Sequence, residues 1–280
     1  MPMKRIKVSA KAKVNFALDI VGKDGGFHTL KTVVSTMNFS DEIILKKRKD
    51  DRISLKVIGS AGCSADENNA YKASKLFKKT FRVSGFDVIL KKKIPVGSGL
   101  GGSSADASAV LVGLKKLFGV EADITPLANA LGSDTLYMTR GGYALLEGRG
   151  EKITAIDTDL KLFLILCTAI EGVNTKDAYA KFDEIGETYD SVADVTAKAI
   201  KDGDYNGLIK SLKNDLYLSA TKLNPEVAKN YETMSKFAPT VMSGSGATVF
   251  SVFKCKKDRD EAYKTLSKIL KGKLIKTETV

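Results

Sequence analysis

The 280-residue sequence has few of the residues that build disulfide frameworks or zinc sites. It contains no tryptophan, one histidine and three cysteines. Cys63, Cys167 and Cys255 lie far apart without a C-x-x-C pair, so we predict reduced thiols and no Cys/His zinc centre. The longest apolar run, LFLILCTAI (162–170), is too short to span a bilayer. The opening MPMKRIKVSAKAKVNF lacks an apolar signal core, and we therefore expect a cytoplasmic protein.

Acidic residues are also fewer than basic residues. The 45 lysines and arginines exceed the 33 aspartates and glutamates, which gives a formal net charge of +12. This balance favours anionic ligands such as nucleotides and phosphorylated metabolites, although many lysines can simply solvate a surface. The hydrophobic content of 43% is that of an ordinary globular protein. We interpret the three consecutive lysines at 91–93 as a solvated strand face.

Hydrophobic periodicity separates a strand-rich first half from a more helical second half. Alternating apolar residues predict a strand around 53–57, and the run 162–170 predicts a buried strand. Helical spacing is found in four segments among others: 67–81, 107–118, 207–217 and 259–272. A polar stretch at 154–159 separates the halves, and we place the domains at 1–155 and 156–280.

The segment PVGSGLGGSSADASAV (95–110) consists almost entirely of small residues and opens a helix. Bare backbone lets N–H groups approach an anion, and a helix N-terminus adds positive potential. The sequence therefore predicts a phosphate-binding loop, in which Ser104 is also the expected Mg²⁺ ligand. The predicted loop contacts to the nucleotide are Pro95, Gly97, Gly99, Leu100, Gly101, Gly102, Ser103 and Ser104.

Three well-known nucleotide-binding loop motifs fit this segment poorly. It matches G-x-G-x-x-G, but more helix follows where a dinucleotide fold needs a second strand. A Walker loop needs a lysine, and none lies between Pro95 and Leu114. The V-A-I-K, H-R-D and D-F-G motifs of protein kinases are missing as well. A tight strand-to-helix connection without a ligand remains an alternative.

The loop resembles the phosphate-binding motif of the GHMP kinases, and further segments in the same order extend the resemblance over nearly the whole chain. These segments are AKAKVNFALDIVGKDGGFHTLKTVV, ENNAYKAS, LGSDTLYMTRGGYALLEGRGE, GVNTKDAYAKFD and MSGSGATVFSVF. Within the family, they are most similar to the members that phosphorylate a cytidine diphosphate sugar-alcohol in the non-mevalonate route to isoprenoid precursors.

The resemblance implies an α+β GHMP kinase fold. Its ATP-binding N-terminal domain is expected to be ribosomal protein S5 domain 2-like, and its C-terminal domain ferredoxin-like. It also implies a kinase that uses ATP and Mg²⁺ on a small-molecule alcohol. We expect a monomer or weak dimer with neither a nucleic-acid nor a membrane partner.

The same resemblance assigns roles to individual residues. Lys13 is expected to activate the attacking hydroxyl and stabilise the transferring charge, with Asn15 orienting the substrate. Asp134 matches the catalytic carboxylate of the family. Lys13 could instead be an ordinary surface lysine, and Asp134 a helix cap or turn residue.

Other positions that match the family are predicted to bind the bases of the two ligands and the substrate phosphates. His28 matches a cytosine-binding histidine, with Phe27 and Tyr179 as aromatic walls. Asn68 is expected to line the adenine pocket. Gly244 and Gly246 are expected near the substrate phosphates.

Alternatives remain open at this stage. Where the family has D-V-P, this chain has Asp134-Thr135-Leu136. A GHMP kinase for homoserine or a mevalonate derivative, or a nucleotide-binding paralogue without activity, would also fit the sequence. A basic nucleic-acid-binding protein on the same fold would show strongly salt-dependent RNA binding instead.

Overall fold

A computed structural model describes residues 4–60, 62–186 and 190–280. They form two compact units that alternate along the sequence. The first unit is made of the described residues of 1–12, 39–96 and 101–141, and the second of those of 13–38, 97–100 and 142–280. The domain boundary expected after residue 155 stays a prediction.

The first unit contains paired strands and helices. Residues 42–47 of strand β2 (Phe27–Lys47) pair antiparallel with β4 (Phe86–Lys91), which pairs in parallel with β3 (Ile53–Ile58). The helices are α1 (Asn69–Phe81), α2 (Gly102–Phe118), α3 (Thr125–Leu131) and α4 (Ser133–Arg140). The helical spacing of α1 predicts one apolar stripe, which is buried at Ala70, Ala73 and Phe77 and partly buried at Leu76.

The second unit contains strand pairs of its own and a separate antiparallel sheet. Residues 30–35 of β2 pair with β5 (Tyr143–Gly148), β5 pairs with β6 (Lys152–Ala155), and β1 (Arg5–Asp24) pairs in parallel with β8 (Lys213–Asn214). The separate sheet has the strand order β11-β7-β10-β9. Its strands are β7 (Phe163–Thr168), β9 (Thr240–Ser243), β10 (Thr248–Phe253) and β11 (Lys273–Glu278).

Helices cover the antiparallel sheet and complete the core of the second unit. They are α5 (Thr175–Ile185), α6 (Ala193–Lys201), α7 (Tyr205–Lys210), α8 (Tyr217–Leu223), α9 (Pro225–Ser235) and α10 (Lys256–Ile269). The run 162–170 supplies β7, whose residues 164–168 are buried, as its continuous apolar character predicts.

One predicted helix is shorter than expected. Periodicity suggested helix over 207–217, but α7 ends at Lys210 and residues 213–214 form β8. The Ser211 hydroxyl donates to the Leu208 carbonyl, and the Asn214 amide donates to the carbonyls of Met242 and Gly244. The Ser211 bond is local, whereas the Asn214 bonds join residues about thirty positions apart and override the helical spacing there.

Among the described residues, no helix has the length and apolar character that crossing a membrane requires.

Candidate active site

The glycine loop lies between β4 and α2, and its backbone has the shape that the sequence suggested. Gly97, Gly99 and Gly101 have φ values of +64°, +74° and +69°, a region that side chains disfavour. The first bond of α2 runs from the Ala105 amide to the Gly101 carbonyl, at 2.9 Å. Amides of the first helical turn have no partner inside their own helix. Residues 102–104 thus offer backbone donors at the positive end of a 17-residue helix.

The first half of the loop, residues 97–100, packs against the turn after β9. The Ser243 hydroxyl donates to the Gly99 carbonyl at 3.0 Å. A Cβ on Gly99 would lie 2.2 Å from the Ser243 carbonyl oxygen and 3.0 Å from that of Gly246. Backbone therefore meets backbone here, and only glycine permits the approach.

Lys13 and Asn15 form a buried polar cluster with that same turn. Lys13 Nζ donates to Asn15 Oδ1 at 2.7 Å, and the Gly244 amide donates to the same oxygen at 3.0 Å. Asn15 Nδ2 donates to Thr32 Oγ1 at 2.9 Å. The residues of Lys13 and Asn15 are only 5% and 3% exposed. Three residues predicted from two distant motifs are thus brought together, and Lys13 is not an ordinary surface lysine.

Asp134 is the second residue of α4 and is partly buried. A carboxylate in a first helical turn is favoured by the helix dipole. The residues in place of the family's Val-Pro face inward, with Thr135 at 0% and Leu136 at 7% exposure. The Leu136 amide donates to the Gly132 carbonyl at 3.1 Å. Proline could not make this bond, so the departure from the family adds a helical hydrogen bond beside Asp134.

His28 and Tyr179 stack in the second unit. Their ring centroids are 4.8 Å apart at an interplanar angle of 27°. Phe27 is 55% exposed, and the Arg149 guanidinium lies 3.7 Å from its ring centroid. The aromatic residues predicted for base binding therefore lie in the same unit, with Tyr179 stacked on His28.

Two neighbours of these aromatic residues were missed by the sequence reasoning. Asp183 Oδ1 lies 2.8 Å from His28 Nε2, and Arg149 covers Phe27. Asp183 follows Tyr179 by four positions on α5, so it lies on the same helix face. That spacing could have identified Asp183, whereas nothing local pointed to Arg149.

Asn68 has a structural role that its sequence motif did not suggest. It is the N-cap of α1, and its side chain accepts from the Ala70 amide at 2.9 Å. Asparagine is among the residues preferred at this position because its oxygen satisfies a free helical amide. A role for Asn68 at the adenine stays a prediction.

The predicted solvated lysine face is wrong at its middle residue. The Lys92 side chain is 8% exposed, and its Nζ lies 2.5 Å from Asp41 Oδ2 and 2.7 Å from Asp106 Oδ2. The even-numbered residues of β4 from 86 to 90 are buried, and the same alternation continued by one residue points Lys92 inward. Asp41 also accepts from the amides of Lys93 and Ile94. This buried cluster thus connects the segment before the glycine loop with helix α2 after it.

The cluster of Lys92, Asp41 and Asp106 contains more acidic than basic groups. Burial raises the pKa of the Asp106 carboxyl to about 7, and the Asp41 carboxylate adds to the shift while Lys92 opposes it. Burial works against the charge on Lys92, but Asp106 and Asp41 outweigh it and raise the pKa of that lysine. One cation thus faces two carboxyl groups in this cluster.

Magnesium has no dedicated set of carboxylate ligands in this part of the fold. Across residues 4–60, 62–186 and 190–280, no three His, Cys, Asp or Glu side chains are grouped as a metal would require. Ser104, partly buried in the first turn of α2, stays the predicted ligand. Magnesium held mainly by phosphate oxygens, with few protein ligands, fits this arrangement.

Comparison with known proteins gives matches in both halves of the chain. Residues 68–144 match the family model described as the GHMP kinases N terminal domain, and residues 196–272 match GHMP kinases C terminal. A 4-diphosphocytidyl-2-C-methyl-D-erythritol kinase of Bacillus cytotoxicus is 36% identical over 255 residues, covering 89% of this chain and 88% of the relative. A protein of that name from Bacillus cereus gives the same values.

Solved structures agree with the sequence matches. A crystal structure of 4-(cytidine 5'-diphospho)-2C-methyl-D-erythritol kinase superimposes with a TM-score of 0.83 at 26% identity, covering 98% of this chain and 100% of that one. A homoserine kinase from Cytophaga hutchinsonii gives 0.74 at 17% identity, covering 99% and 95%. The second likeness concerns the fold alone. Together the comparisons confirm the predicted fold class.

Proposed function

Since the chain belongs to the GHMP kinases, we propose that it transfers the γ-phosphoryl group of ATP to the 2-hydroxyl of 4-diphosphocytidyl-2-C-methyl-D-erythritol. This reaction belongs to the non-mevalonate route to isoprenoid precursors. The observation that carries the proposal is the 36% identity with kinases of that name over 89% of the chain. The geometry around the glycine loop, Lys13 and His28 supports it.

The glycine loop is suited to the phosphates of ATP. Its positive-φ glycines expose backbone, and the amides of residues 102–104 lie at the positive end of α2. In the reaction, the substrate hydroxyl oxygen forms a bond to the γ-phosphorus while the bond from that phosphorus to the β,γ-bridging oxygen breaks. ADP leaves, and the hydroxyl proton passes to a base. Mg²⁺ chelated by ATP, with Ser104 as its protein ligand, would neutralise part of the phosphate charge.

Lys13 and Asp134 are assigned the chemical roles. A buried cation fixed by Asn15 Oδ1 stabilises charge more than a solvated one, because little reorganisation is needed. Asp134 would accept the hydroxyl proton or orient the hydroxyl for attack. Asn15 and the turn glycines, Gly244 and Gly246, would contact the substrate.

The cytidine end of the substrate is assigned to the residues around His28. Phe27 and Tyr179 would form the walls around the base, and His28 would offer a ring nitrogen to its edge. A cytoplasmic location and a monomer or weak dimer belong to the same proposal. Cys167 and Cys255 are free thiols in the described part of the chain, which fits a reducing compartment.

The deciding experiment is ATP consumption by the purified protein with 4-diphosphocytidyl-2-C-methyl-D-erythritol, homoserine or mevalonate as acceptor. We expect turnover with the cytidylated alcohol alone. Turnover with one of the other alcohols would replace the proposed substrate and keep the kinase. ATP binding without turnover on all three would identify a paralogue that has lost activity and would overturn the proposal.

A further inference from the structure

The Asp183 carboxylate lies between the only histidine in the chain and a lysine. Its Oδ1 is 2.8 Å from His28 Nε2 and 2.6 Å from Lys23 Nζ. The His28 side chain is 12% exposed, whereas that of Asp183 is 38% exposed. The histidine is therefore held from the solvent side by an acidic residue on α5.

This contact determines which imidazole nitrogen carries the proton. An ionised carboxylate can only accept hydrogen bonds, so the nitrogen facing it must donate. Lys23, followed by His28, lowers the pKa of the Asp183 carboxyl, which keeps it ionised at neutral pH. Nε2 is then the protonated nitrogen, and in the neutral ring Nδ1 is an acceptor.

Packing also restricts the orientation of the ring. Tyr179 stacks on one face of His28, and Phe182 meets the imidazole nearly edge-on, with centroids 6.0 Å apart at 85°. Since Tyr179, Phe182 and Asp183 all lie on α5, one helix supplies both the stacking partners and the hydrogen-bond acceptor. A ring held in this way presents one defined nitrogen to a ligand.

An acceptor nitrogen distinguishes the pyrimidine bases. Cytosine carries an amino group at C4, which donates, whereas a 4-keto pyrimidine such as uracil carries an oxygen there, which accepts. A site built to hydrogen-bond one group rejects an analogue without it, because its own polar atom is left unpaired.

We propose that Asp183 is a positioning residue that holds His28 with the proton on Nε2, so that Nδ1 accepts from the cytosine amino group and selects against uracil. This inference rests on the proposed function, since it assumes a cytidylated substrate. Asp183 acts through His28 and does not itself touch the base.

The first test is the protonation state of His28, measured on the wild-type protein by long-range ¹H–¹⁵N correlation NMR at a pH where the ring is neutral. A single histidine makes the assignment unambiguous. We expect Nε2 to have the shift of a protonated nitrogen and Nδ1 that of an unprotonated one. A proton on Nδ1 would overturn the inference, and this measurement depends on neither a variant nor activity.

The second test compares Asp183→Asn with Glu184→Gln, the neighbouring residue on α5, which forms an exposed ion pair with Lys181. In Asp183→Asn we expect the two ¹⁵N shifts to move toward each other, because the amide no longer enforces one tautomer. Glu184→Gln should give the wild-type spectrum. Wild-type shifts in Asp183→Asn together with wild-type base selectivity would contradict a positioning role.

Kinetics separates this inference from the proposed function. The ratio of kcat/KM for the cytidylated substrate to that for its uridylated analogue should fall about tenfold in Asp183→Asn, the range of one lost polar contact. KM for ATP should stay within twofold, and Glu184→Gln should keep the wild-type ratio. An unchanged ratio in an active Asp183→Asn would overturn the inference. Failure of the wild type to use either nucleotide would contradict the proposed function instead.

Discussion

Asp134 is the residue whose substitution tests the chemistry most directly. The first turn of α4 holds it, and the Leu136–Gly132 bond keeps that turn helical. We predict that Asp134→Asn lowers kcat by about 10²- to 10⁴-fold, since it removes proton transfer but keeps the side-chain shape. ATP affinity should change little, and loss of the dipole interaction should cost only about 0.3–1 kcal/mol of stability. Single-turnover rates and calorimetric ATP titration measure the two effects, and a wild-type rate would exclude the assigned role.

Asp106 makes stability depend on pH with a definite sign. Burial raises its pKa from about 3.8 to about 7, so the folded protein binds this proton more tightly than the unfolded chain does. The contribution to stability is complete below about pH 4 and is lost as pH rises through about 7.

We predict that Asp106→Asn reduces this loss. Between pH 5 and pH 8, the free energy of unfolding of the wild type should fall by on the order of 1–3 kcal/mol more than that of the variant. In the variant, Lys92 pairs with Asp41 alone. Chemical denaturation at the two pH values gives the comparison, with Asp66→Asn, which removes an exposed partner of Lys75, as the control. Equal pH dependence in wild type and Asp106→Asn would assign the effect to other groups.

At the scale of elements, the glycine loop is fixed by close approach as well as by its backbone angles. Gly99 and Gly119 have similar φ values, +74° and +68°, but only Gly99 has backbone oxygens in the space that a Cβ would occupy. We predict that Gly99→Ala lowers the free energy of unfolding by about 2–4 kcal/mol, because strain and a steric clash add. Gly119→Ala should lower it by about 1–2 kcal/mol, from strain alone. Thermal unfolding measures both, and equal losses would mean that the close approach is unimportant.

Elements with a strong local pattern could be predicted from the sequence, and those set by distant contacts could not. Apolar spacing predicts α1 and α2, and the apolar run predicts β7, all of which the structure confirms. The end of α7 at Lys210 depends instead on bonds made by Ser211 and Asn214, the latter to residues about thirty positions away. The burial of Lys92 likewise depends on Asp41, 51 positions earlier.

The candidate site shows the same division. Motif resemblance identified Lys13, Asn15 and His28, and the structure gives each of them buried or stacked partners. Their roles in binding and catalysis stay predictions. Arg149 was missed because its contact with Phe27 depends on which elements pack together, whereas the spacing of Asp183 from Tyr179 on α5 was a usable signal.

For the whole molecule, the excess of basic residues has a kinetic consequence. The net charge of +12 attracts anions, and both ATP and a diphosphate-bearing alcohol are anions. Attraction at a distance is screened within about 10 Å at 0.1 M salt, whereas contacts within a bound complex are screened less. The charge should therefore increase the rate of encounter more than the rate of the chemical step.

We predict that raising KCl from 50 to 300 mM lowers kcat/KM for the nucleotide substrates several-fold and changes kcat by less than twofold. Sucrose at matched osmolarity controls for effects of the added solute. An unchanged kcat/KM would mean that the lysines only solvate the surface. Binding of RNA would indicate instead that the same positive charge binds a polyanion. In that case the logarithm of the RNA affinity should fall steeply and linearly with the logarithm of the salt concentration. The two assays use one protein over the same salt range, so they distinguish steering of small anions from binding of nucleic acid.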